Sequence, residues 1–122
     1  MSVESEILRK FDELETMMKR HLGKVDRSLI MDLILRQKEE KNPIYTLEVF
    51  VQQNPNVEEI RNRIVRETGM MPAFYEGGTH IVVAHKINFD MLKMINDIED
   101  VERIRGTYCG GASIGPVYHK DT

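Results

Sequence analysis

The side chains of this chain with the widest chemical repertoire are few. They are His80 and His85 in the stretch YEGGTHIVVAH, Cys109 ahead of Gly110-Gly111-Ala112-Ser113, His119 close behind it, and the acidic run Asp97, Glu99, Asp100 and Glu102. Two nearby histidines invite a metal ion or acid–base work. Five residues apart on a strand, however, their side chains point to opposite faces. They cannot share a metal ion within that strand, and each would need outside ligands such as Cys109, His119 or a carboxylate. A zinc site shows several Cys and His ligands at tight spacing, a pattern missing here, so neither a metal nor a cofactor is expected. His85 reads as a hydrogen-bonded strand residue. His80, beside Tyr75, is the candidate ligand or interface contact, and a pH-sensitive one by residue type.

Cys109 would act as a nucleophile only with a base in reach and a positive environment to lower its pKa. His119 is near in sequence, but the intervening glycines give no fixed geometry. A free thiol at a strand end is the better expectation, with a thiol enzyme or redox protein kept as an alternative. The run CGGASIG could wrap an anion with backbone N–H groups, yet it lacks the following helix and the Gly-Lys-Ser/Thr ending of a phosphate loop. It reads as a flexible linker. The acidic run has no EF-hand pattern and reads as a solvated face, as do Arg61, Arg63 and Arg66.

Bulk properties narrow the classes further. With 122 residues the chain is long enough for one domain with a real core and too short for two. A net charge of −3 gives no support to a nucleic-acid surface. The single cysteine rules out a disulfide within the chain. The start MSVESEILRK lacks the basic-then-apolar order of a signal peptide, and no apolar run approaches the roughly 20 residues that span a bilayer. The expectation is a cytoplasmic protein with no membrane partner. The eight methionines sit among apolar residues and read as core filler.

The elements that must position these residues follow from periodicity. Ile7, Phe11, Leu14 and Met18 recur at four, three and four, one stripe of a helix. Gly23 is expected to end that helix in a left-handed conformation. Asp26 is the expected cap of a second helix, with Val25 and Ile30 as its staple, carrying Leu29, Ile30, Leu33 and Ile34 into RQKEEK and stopping before Asn42-Pro43. This pair reads as a helical hairpin over residues 1–43. From Ile44 the period becomes two: Tyr45, Leu47, Val49 and Val51 share one strand face. Asn54 and Pro55 start the next helix, with Val57, Ile60 and Ile64 as its stripe and Gly69 as its stop. MMPAFYE and THIVVAHKI are two strands joined by a two-residue Gly77-Gly78 loop. Asn88 caps a helix with Phe89, Leu92, Ile95 and Ile98, and VERIRGTY is the last strand.

The order β-α-β-β-α-β over residues 44–108 has one compact solution, a four-stranded antiparallel sheet with two helices on one face, the ferredoxin-like arrangement. Residues 109–122 form a Gly-rich tail. Pairing across the glycines puts Tyr75 opposite His80 and sends Phe74, Ile81 and Val83 toward the helices. The other face then carries Phe50, Tyr75, His80, Val82 and Ala84 with Thr46 and Glu48, too apolar for open water. Either the N-terminal hairpin folds over it or a second chain packs there. A homo-oligomer is expected, with Ile7, Phe11, Leu14 and Met18 as the oligomerisation stripe.

The hairpin YEGGTHIVVAH and the segment FDMLKMINDIEDVERIRGTY resemble the small ferredoxin-like regulatory modules, the ACT domain and the ligand-binding domain of the Lrp/AsnC family. That resemblance covers about half the chain, Tyr45 to Tyr108. It implies dimerisation and an amino acid or other small metabolite bound at the interface. The same segment, with the spacing of Val101 and Ile104, is similar to the subtilisin propeptide and its free-standing inhibitor relatives, which implies a protein partner on the open sheet with the tail in its cleft. The expectation is a non-catalytic, self-associating regulatory or interaction module, with a metabolite or protein near Phe50, Tyr75 and His80.

Overall fold

A computed structural model describes residues 2–110. Helix α1 spans Val3–His21. The Ser2 hydroxyl caps it by accepting from the Ser5 amide at 3.1 Å, Glu4 and Glu6 lie in its first turn, and Lys19, Arg20 and His21 in its last, each favourable against the helix dipole. The helix closes on Leu22, whose amide donates to the Met18 carbonyl at 2.8 Å. Gly23 is not left-handed, contrary to expectation. A Cβ there would lie 3.0 Å from the Lys19 carbonyl oxygen, so glycine serves a close passage of the backbone instead.

Helix α2, Arg27–Arg36, starts at Asp26, but the Asp26 carboxylate makes no capping bond. It accepts two bonds from Arg103 at 2.9 and 2.8 Å, a charge-assisted pair that outcompetes a neutral cap. The helix does not continue through RQKEEK. Beyond Leu35, itself 62 % exposed, that segment offers no apolar residue to hold a further turn against the body, and short helix without packing is marginal.

Strand β1 spans Ile44–Val51, followed by α3 (Val57–Thr68), β2 (Ala73–Tyr75), β3 (His80–Lys86), α4 (Phe89–Asn96) and β4 (Val101–Gly110). The strands form one open antiparallel sheet in the order β2-β3-β1-β4, a βαββαβ unit after two N-terminal helices. The cap of α3 is Asn56 rather than Asn54: its side chain accepts from the Glu59 amide at 3.1 Å, while Asn54 itself sits at φ +57 before Pro55. Gly69 ends α3 at φ +78, as expected. The β2–β3 connection is longer than two residues. Tyr75 does pair with His80, but Glu76 to Thr79 make a tight turn in which Glu76, Gly77 and Gly78 all have positive φ. Gly78 is there for space as well: a Cβ would meet Val57 Cγ2 at 2.3 Å, because the turn presses on the start of α3.

Tyr45, Leu47, Val49 and Val51 are all buried, as the alternation of β1 requires. They form one core with Ile81, Val83, Val101 and Ile104 of the sheet, Ile60 and Ile64 of α3, Leu92 and Ile95 of α4, and Leu29, Ile30 and Leu33 of α2. Helix α2 thus lies on the same face as α3 and α4. At Gly106 a Cβ would reach the side chains of Leu47 and Leu29 within 2.9 to 3.3 Å, so the missing side chain lets α2 settle onto the strands. Between α1 and α2 the backbone runs beside β4: the Asp26 amide donates to the Ile104 carbonyl and the Ile104 amide to the Lys24 carbonyl, both at 2.8 Å. This pairing covers part of the sheet edge. It also ties down the link between α1 and α2. The N-terminal helices therefore do not fold over the open face of their own sheet.

Candidate functional site

The open face is built from alternate residues of all four strands. At one end, Phe50 of β1 pairs with His80 of β3 and with Arg103 of β4. The Phe50 and His80 rings stack with centroids 4.8 Å apart and planes 4° from parallel. Tyr75, from the short edge strand, tilts toward His80 at 6.2 Å and is 53 % exposed. The Arg105 guanidinium lies 5.6 Å from the Phe50 ring centre while donating to both Glu48 oxygens, at 3.0 and 3.4 Å. Glu48 Oε1 also lies 3.6 Å from His80 Nε2, too far for a hydrogen bond. That nitrogen is enclosed yet has no hydrogen-bond partner among the described residues. Val82 continues the face half-buried and Ala84 is exposed. The structure thus gathers Phe50, Tyr75 and His80 into one aromatic cluster, with Glu48 and Arg105 at its side.

His85 sits on the other side of the strand, and its Nδ1 lies 2.9 Å from the Lys86 carbonyl oxygen. Cys109 belongs to β4 rather than to a tail, in an irregular register beside Ile44–Tyr45. Its sulfur lies 3.0 Å from Thr46 Oγ1 and 3.7 Å from the Thr107 carbonyl oxygen. His119 and the segment 111–122 lie outside the described residues. Among the described residues no group of three His, Cys, Asp or Glu side chains is placed to hold a metal ion. Within the acidic run, Asp97 pairs with Lys93 at 2.7 Å and Asp100 accepts from Gln52 at 2.6 Å. Arg61 lies over the Phe74 ring at 4.7 Å and Arg63 pairs with Glu67, so neither is a free cation.

A second polar cluster, on the helical side, escaped the sequence reading. Arg36 donates to both oxygens of Asp32, at 3.0 and 3.2 Å, and the Tyr45 hydroxyl donates to the same carboxylate. The Arg36 guanidinium also lies 3.5 Å over the Tyr108 ring, whose hydroxyl donates to Glu40 at 2.5 Å. The Arg36 bonds, then that of Tyr45, hold the Asp32 carboxyl below the usual carboxylate range. Burial, then the Asp32 bond, pushes the Tyr45 hydroxyl well up, and the Glu40 bond, then burial, raises that of Tyr108. Such a cluster pairs two acids, Asp32 and Glu40, with one guanidinium and two phenols and holds no thiol, histidine or amine to act as nucleophile. It is a lock fixing α2 and the chain after it to β1 and β4. The available signal was Tyr45 itself, since a tyrosine in an otherwise aliphatic buried stripe needs a partner for its hydroxyl.

The oligomerisation stripe is divided. Met18 is buried and Leu14 packs against the core, whereas Ile7 and Phe11 are 61 % and 38 % exposed. Beyond Leu14 and Met18, an apolar groove of about 420 Å³ runs between α1, α2 and α4, walled by Leu22, Ile30, Ile34 and Phe89.

These features define an α+β protein with an open antiparallel sheet and no helix, among the described residues, long and apolar enough to cross a membrane. Comparison with protein-family models, curated proteins and solved structures finds no match for the chain.

Proposed function

We propose that this chain is a non-catalytic, self-associating regulatory or protein-interaction module of the ferredoxin-like kind, and that its open sheet face is the binding surface. One observation carries the reading: α2, α3 and α4 all pack on one side of the sheet, so the Phe50–His80–Tyr75 cluster on the other has no covering element among the described residues. A flat aromatic stack with an enclosed, unpartnered ring nitrogen suits a planar group that extends the stack, offered by a small metabolite or by a partner's side chain. The resemblance of the YEGGTHIVVAH hairpin to regulatory modules points the same way.

The test is a titration of the isotopically labelled protein with a panel of amino acids and nucleotides, followed by amide chemical shifts. Shifts confined to residues 46–50, 75 and 80–84, and abolished in Phe50→Ala, are expected for at least one class. No movement on this face across the panel, together with a monomer in light scattering, overturns the proposal.

A further inference from the structure

Every residue from Ser2 to Glu13 is exposed, so the first half of α1 adds nothing to the buried core. Three turns of helix, about 17 Å long, are marginal in water without packing. Yet this half carries Ile7 and Phe11 on one stripe, with Val3 and Leu8 flanking it at 73 % and 56 % exposure. The second half of α1 is docked on the body and forms one wall of the apolar groove. The described residues thus present an exposed apolar helix face and, continuous with it, an open apolar groove.

We propose that two copies of this chain pair through α1 in antiparallel fashion, each laying the exposed half of its helix into the groove of the other. The inference rests on the self-association in the reading above and not on the sheet-face ligand. Three observations select a second copy and its direction. The docked half cannot leave its own body, so only the exposed half can enter a groove, and a reciprocal exchange about a two-fold axis must be antiparallel. The spacing of the stripe is self-complementary: setting Phe11 against Leu14 of the partner subunit also sets Ile7 against Met18 of the partner subunit, in the layers of a coiled-coil seam. The same register brings Glu4 opposite His21 of the partner subunit, so the acidic first turn of each α1 meets the basic last turn of the other. His21 and Lys93 stand at the groove, with Asp90 beside them. A parallel pair would instead stack Glu4 on Glu4 and His21 on His21. The sheet face stays free.

Sedimentation equilibrium of the full chain tests this. Phe11→Glu should weaken association on the order of 100-fold or more while leaving the circular dichroism and melting of the body unchanged. Val82→Glu, on the sheet face, should leave the dimer intact. Glu4→Lys and His21→Glu should each weaken association, and mixing the two variants should restore it as a heterodimer. A dimer indifferent to Phe11→Glu, or broken by Val82→Glu, overturns the helix-exchange interface and leaves sheet-mediated association standing. Failure of the mixture to recover overturns the antiparallel register. A wild-type chain that stays monomeric at hundreds of micromolar overturns both this interface and the self-association it rests on.

Discussion

Single side chains in this protein divide between those that hold it together and those that are available. Tyr45 belongs to the first group. Its ring is in the core and its hydroxyl reaches Asp32, which Arg36 already grips. Tyr45→Phe removes one charge-assisted bond and leaves the carboxylate paired, so it should lower stability by about 1–3 kcal/mol in urea unfolding, without loss of the fold. The acids of the two Arg pairs also set the response to pH. Arg103 holds the Asp26 carboxyl, and Arg36 that of Asp32, below the ordinary value of 3.8. Between the depressed folded values and 3.8 the unfolded chain binds more protons, so this stability is complete above that range and is lost as pH falls through the folded values. Unfolding midpoints recorded from pH 6 down to 2 should show that loss, and Asp32→Asn should flatten part of it. The sequence could place Asp32 and Arg36 four apart on a helix, but not the strand tyrosines they meet. Those contacts span 13 residues to Tyr45, and their partners depend on where α2 lands.

At the scale of elements, the strongest periodicities were legible and the boundaries less so. The stripe of β1 and the helix cap at Asn88 rest on local patterns, and local bonding is what forms them. Asn54 and Asn56 show where local reasoning slips. Both precede the helix, but Asn56 stands three residues before Glu59, the spacing of a capping box, while Asn54 is spent on a left-handed turn before Pro55. Asn56→Ala should therefore cost about 0.5–2 kcal/mol, whereas Asn54→Gly, which keeps the left-handed turn without strain, should remove no cap; thermal melts of the two variants separate the assignments. The Glu76–Thr79 turn is longer than the two residues that Gly77-Gly78 suggests for a similar reason. The register Tyr75–His80 was deducible, but the three successive positive φ angles and the pressure of Val57 on Gly78 come from packing against α3.

Over the whole molecule, one core joins α2, the end of α1, both interleaved helices and the sheet. Leu33 on α2 is fully buried in it, so Leu33→Ala should cost about 2–5 kcal/mol. Because that core is continuous, helix and sheet signals should fall together in one unfolding transition, and separate transitions would show α2 to be an independent unit.

By itself the sequence determined the βαββαβ order, the buried side of β1, the parity that separates His80 from His85, and the amphipathic stripe of α1. All of these follow from local period, since 3.6 and 2.0 residues per repeat set which side chains share a face. Tertiary structure alone decided which side of the sheet the N-terminal helices take. The amphipathic pattern says that a face must be covered but not by what. Here the Lys24–Asp26 pairing with Ile104 and the absence of a side chain at Gly106 draw α2 onto the side already occupied by α3 and α4. Among the described residues, the aromatic cluster at Phe50 is left without a covering element as a consequence.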